Sequence, residues 1–195
     1  MANNTREEVT QEDFDQLVED ASYLQDEAEA LKYVIDEVPY TETPPNGQSI
    51  AEMLLLIDHA QLTYYRPIIE DAHQNSAAPV RLEHYGDFND TFELDEDKAK
   101  NIQKVLSKIV KHRAGLVNLI KSISLIDWET RLYKNNQELL LFNFARDMIR
   151  FDRQKLKDIA DLVMVFNQEK EARREIDKRA ERQSAEEQSS SRKEN

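Results

Sequence analysis

Residues 139–163 read LLLFNFARDMIRFDRQKLKDIADLV, and the spacing of their apolar members decides the fold class. Leu141, Phe144, Ala145, Met148, Ile149, Leu156, Ile159, Leu162 and Val163 return at three- and four-residue steps. That is the period of a helix, not the two-residue alternation of a strand. Leu139, Leu140, Phe142 and Phe151 add to the stripe. The pattern therefore predicts a deeply buried helix from near Gln137 to about Gln168.

Working back along the chain, the same period recurs three times. Ile102, Val105, Leu106, Ile109, Leu116, Leu119 and Ile120 predict a helix from about Asp95 to Ser122, with acids in its first turn. A short link, Leu125 to Glu129 and on through Asn135-Asn136, leads from it into the last helix. SIAEMLLLIDHAQLTYY (49–65) predicts a second helix that starts at an N-cap Ser49 and runs to about Ala72. Its apolar residues cover much of its circumference, and Pro67 is expected to kink or end it. The first helix is predicted over Thr10–Glu37, opening on a capping box in which Asp13 replaces the usual Glu. Between helices two and three, residues 73–93 lack a helical period and carry Pro79, Gly86 and scattered aromatics. A connection of that length in a bundle means a crossover or a functional loop.

Four amphipathic helices and one long loop predict an all-α chain: a four-helix bundle with a charged C-terminal helical extension and negligible strand. Residues 1–9 read as a disordered N-terminus and 10–168 as the bundle. Residues 169–195, EKEARREIDKRAERQSAEEQSSSRKEN after Gln168, read as a charged tail, helical and then disordered.

Composition bounds the chemistry. The chain has 195 residues and no cysteine, which excludes disulfides, thiolate catalysis and Cys-ligated metal. A net charge of −13 argues against nucleic acid as a partner. No apolar run is long enough to span a membrane, and the first residues lack the pattern of a signal peptide, so a cytoplasmic protein is expected. There is no phosphate-binding glycine loop, no G-x-S-x-G, no H-E-x-x-H and no pair of Glu-x-x-His motifs of the di-iron kind.

Helix two and the run FARDMIRFDRQKLKDIADLV of helix four together resemble the DinB-like superfamily. The resemblance implies a four-helix bundle in which one His of helix two and a His pair, four apart on helix four, hold a divalent metal such as zinc or nickel. Relatives include bacillithiol and mycothiol transferases and a maleylpyruvate isomerase. His59 takes the place of the helix-two ligand. On helix four, Asp152, Arg153, Leu156 and Ile159 agree with the family's H-D-R-x-H-L-x-Q-I run, while the two ligand positions are Phe151 and Lys155. Phe has no donor atom and a charged Lys repels a cation. No metal or other cofactor is therefore expected. If the match holds, His59, Phe151 and Lys155 converge in the bundle interior as a pocket, supported by Asp152 and Arg153.

Each of these residues also has a plainer reading. His59 is then a hydrogen-bonded core or boundary residue, and Phe151 fills core volume. Lys155 snorkels or pairs with Asp58, Asp147 or Asp158, while Asp152-Arg153 position the helix. His73, His84 and His112 form no ligand set by spacing. The expectation is a DinB-like bundle with a degraded metal site that binds a small molecule or is not catalytic. The alternatives are a metal-dependent thiol transferase or hydrolase, and a protein–protein module or homodimer. The partner is an unknown small molecule or a protein.

Overall fold

The computed structural model describes residues 8–45, 47–75 and 79–191, and side chains as far as residue 183. Helix α1 (Gln11–Leu31) opens on a complete capping box. Asp13 N donates to Thr10 Oγ1 at 3.2 Å, and Thr10 N to Asp13 Oδ2 at 3.0 Å. It stops six residues earlier than the apolar pattern implied, and Ile35–Glu37 form a separate 3-10 turn. The β-branched Val34 and Ile35 before Pro39 disfavour further α-helix.

Helix α2 (Ile50–Ala60) starts at Ser49, whose hydroxyl accepts from Glu52 N at 3.1 Å. It widens into a π-helical turn over Gln61–Tyr65 and resumes as α3 (Arg66–Gln74). The break precedes Pro67 because proline has no N–H to give the carbonyl four residues back, that of Thr63.

The connection after α3 contains strand β1 (Val80–Arg81), a 3-10 turn at Leu82–His84 and the short helices α4 (Phe88–Thr91) and α5 (Glu96–Ala99). Helix α6 (Ile102–Ser122) follows. The predicted third helix is thus two helices. Asp95 caps the first through Lys98 N, and Asn101 caps the second through Lys104 N. Two consecutive caps split what a periodicity argument reads as one element.

A larger difference precedes the last helix. Residues 131–140 form a hairpin of strands β2 (Arg131–Lys134) and β3 (Gln137–Leu140), and α7 (Leu141–Ser191) begins only at Leu141. Asn135 and Asn136 are its turn, with φ of 50° and 62°. Asparagine tolerates this left-handed region, and the twist it imposes suits a two-residue hairpin. Strand β2 pairs antiparallel with β3 (Leu132 opposite Leu139) and parallel with β1 (Val80 opposite Leu132). A three-stranded sheet therefore sits on a mainly helical protein where negligible strand was expected.

The chain divides into two units, residues 1–157 and 158–195. In the first, the ends of the helices fix the topology. Gln103, at the start of α6, donates to Lys32 O and to Asp36 just past α1, so these two helices are antiparallel. Tyr40 receives Ala51 N at the start of α2 and donates to Lys100 O at the start of α6. Asp58 lies beside His112 and, further along, Arg66 beside Gly115, so α2–α3 and α6 run parallel. Parallel neighbours need a long return, and residues 75–101 are that crossover. Phe144 meets Tyr64 and Tyr65 while Lys155 meets Gln48, so α7 runs antiparallel to α2.

Leu24, Ile50, Leu54, Ile57, Ile68, Leu106, Ile109 and Trp128 are fully buried between these helices. Each such aliphatic side chain is worth about 1.5–3 kcal/mol of burial.

The second unit is helical to Ser191, with Met164, Val165 and Ile176 exposed. Residues 1–7 and 192–195, where disorder was expected, lie outside the described residues. Among the described residues no helix is long and apolar enough to cross a membrane.

Candidate functional site

The three positions singled out from the sequence meet different neighbours. His59 on α2 points to the crossover: its Nε2 lies 3.1 Å from Thr91 Oγ1, and its ring meets Phe92 edge-on with centroids 5.6 Å apart. Phe151 on α7 belongs to an aromatic cluster, with ring centroids 5.0 Å from Phe88 and 6.2 Å from Tyr65. Lys155 Nζ donates to Gln48 Oε1 at 2.7 Å. No hydrogen bond, ion pair or ring contact joins the three to one another. Residues 88–92 stand between two of them, with Phe88 against Phe151 and Thr91 and Phe92 against His59. Two of the carboxylates considered for Lys155 are engaged elsewhere, Asp58 with His112 and Asp147 with Arg150.

Asp152 and Arg153 reach in opposite directions. Asp152 Oδ2 accepts from Arg113 Nη2 on α6 at 2.6 Å, deep in the bundle. Burial pushes the Asp152 carboxyl up to about 6, against the downward pull of Arg113. Arg153 lies on the outside, 2.5 Å from Asp20 of α1 and over the ring of Tyr23. Burial also raises the Tyr65 hydroxyl far above its usual range, with Asp152 adding to the shift. At the end of α3, Tyr85 donates to Asp71 at 2.6 Å. This bond holds the Asp71 carboxyl below its usual range, while burial first and Asp71 second push the Tyr85 hydroxyl up to about 12.

A cleft of about 630 Å³ opens between α2 and α6, beside the crossover. Helix α2 turns Leu55, Asp58 and His59 into it, and the π-helical turn that follows adds Leu62 and Thr63. Helix α6 contributes Lys104, Lys108 and His112, four apart. His112 Nδ1 lies 2.7 Å from Asp58 Oδ1 across the two helices. A carboxylate only accepts, so His112 donates from Nδ1, and Nε2 is the ring nitrogen left for another partner.

The cleft was invisible to sequence spacing. Asp58 and His112 are 54 residues apart, and they meet only because α2 and α6 are parallel neighbours. The four-residue step from Lys104 through Lys108 to His112 was the available signal.

Neither a protein-family model nor a curated protein sequence matches the chain. Among solved structures, the chain is similar to YfiT from Bacillus subtilis, described as a probable metal-dependent hydrolase with an unusual four-helix bundle topology. The likeness has a TM-score of 0.67 and covers 83% of this chain and 92% of YfiT, at 12% sequence identity. At that identity it shows the fold: this chain has the four-helix-bundle fold of YfiT.

Proposed function

We propose that this protein is a small-molecule-binding bundle of the DinB-like type, in which the positions of the family's metal ligands serve packing and hydrogen bonding. The metal dependence named for YfiT does not fit the residues present. Of the three positions the resemblance assigns, His59 alone offers a donor atom for a cation. Phe151 is packed against Phe88 and Tyr65, and the Lys155 ammonium is turned to Gln48. A lone imidazole does not hold a divalent ion against water, since such sites take three or four ligands. Among the described residues no three His, Asp or Glu side chains are grouped to do so.

The observation that carries the reading is the cleft on the His59 face. Its volume falls in the range of small-molecule sites, and its lining sets an apolar wall of Leu55, Leu62, Phe92 and Val105 among polar and charged side chains. His59 and His112 both line it, while His73 and His84 do not. A four-histidine chain makes a simple reporter. In an NMR titration with a library of soluble aromatic and aliphatic fragments, the imidazole signals of His59 and His112 should move and those of His73 and His84 should stay. Fragments that bind while leaving His59 and His112 unmoved would place the site elsewhere. No binder at all would remove the reading.

A further inference from the structure

We propose that the ligand of this cleft is a small organic anion, its charged oxygens held by Lys104 and Lys108 and its apolar body lying on Leu55, Leu62 and Phe92; this rests on reading the cleft as the ligand site. The charges around the cleft separate into those already matched and those left over. Asp58 accepts a hydrogen bond from His112 at 2.7 Å, Asp95 pairs with Lys98 at 2.8 Å and Asp97 with Lys100 at 2.9 Å, while Glu93 lines the cleft without such a partner among the described residues. Lys104 and Lys108 also line the cleft, and neither side chain has a hydrogen-bond or ion-pair partner among the described residues. Other basic side chains also lack a carboxylate among the described residues, Lys111 and Lys121 on the same helix included, but of these Lys104 and Lys108 are the ones that line the cleft. Being four apart on α6, they stand one above the other on the same face, and His112 continues the row one turn on.

The same wall has an apolar part. Leu62, on the π-helical turn after α2, is left 38% exposed and lines the cleft with Leu55. A ligand with one charged end and one apolar end satisfies both: oxygens on the ammonium row, and a ring or chain on the leucines and Phe92. The overall charge of −13 does not forbid an anion here, because charges more than about 8–10 Å away are largely screened at ordinary ionic strength. Of the charged lining groups without a partner among the described residues, two are lysines, Lys104 and Lys108, and one is a carboxylate, Glu93.

The test compares three probes of one shape on the full chain at low salt: phenyl phosphate, benzyl alcohol and benzylamine. Phenyl phosphate should move the His59 and His112 signals and bind at least about tenfold tighter than benzyl alcohol, with benzylamine weakest, since charge-assisted hydrogen bonds supply that margin. The double variant Lys104→Ala with Lys108→Ala should lose this preference. Lys121→Ala, on the same helix but outside the cleft, should keep it. All three lysines are exposed, so the variants fold. Equal binding of benzyl alcohol and phenyl phosphate at His59 and His112 would leave the cleft a ligand site and overturn the anion. So would a preference that survives in the double variant. If none of the probes moves either imidazole, both readings fall.

Discussion

Arg113 on α6 and Asp152 on α7 form an ion pair of 2.6 Å inside the bundle, the guanidinium wholly buried and the carboxylate 6% exposed at its side chain. The pair fixes α6 against α7. The low-dielectric interior strengthens the attraction, but removing both charges from water costs several kcal/mol each. The raised carboxyl of Asp152 says which effect prevails at that group: burial outweighs the arginine. One arginine nitrogen, Nε, is buried without a hydrogen-bond partner, which adds to the cost.

The pair should therefore be dispensable as a pair and intolerant of being halved. Arg113→Met alone leaves a buried carboxyl without its donor, and breaking one side of such a pair costs about 3–5 kcal/mol. Arg113→Met together with Asp152→Leu should come out near or above the wild type. Urea denaturation of the three proteins checks this, and a double variant weaker than the single one would contradict it.

The pH dependence has a definite sign. In the unfolded chain Asp152 releases its proton near its usual 3.8, whereas in the fold it holds the proton to about 6. Between these values the folded state binds more protons, so this group's contribution to stability is complete below about 4 and is lost as pH rises through about 6. The unfolding free energy of the wild type minus that of Asp152→Asn should fall as pH rises across that window. A difference that grows with pH would mean that Arg113 prevails.

Phe151 links α7 to the crossover through Phe88. It is half-buried, so Phe151→Ala should cost less than the ~3–5 kcal/mol of a fully buried Phe. The loss should be felt locally as well. Amide exchange across residues 88–92 should quicken, because Phe88 loses a ring neighbour. Unchanged exchange there would show that Phe88 is held by Tyr64 and Tyr65 alone.

How far the residues foretold this molecule depends on what each signal measures. Apolar periodicity found the four long helical stretches and the Thr10 and Ser49 starts, because burial of one face and local capping are properties of neighbouring residues. It misread Gln137–Leu140 as helix, since three consecutive leucines suit either state, and the deciding fact was the Asn135-Asn136 turn. The split at Asn101 was missed for a similar reason: a cap interrupts a helix without interrupting its apolar stripe. Of the candidate site, His59 and Thr63 lie together in one helical run, but spacing did not show that they face a cleft. The Asp58–His112 pair could not be read from spacing, because it exists only through the packing of parallel helices. Arg113 went unnoticed because nothing local marks an arginine for burial.

The central claim, a proposal, is that His59, Phe151 and Lys155 do not hold a metal in this chain, and the metal content of the purified protein tests it most directly. Elemental analysis after expression in zinc- and nickel-supplemented medium should find well under one equivalent of either metal. Thermal unfolding should be the same with chelator and with added zinc, since a ligand that binds only the folded state would raise stability by mass action. One equivalent of tightly held zinc or nickel, with a melting temperature that falls on chelation, would contradict the account.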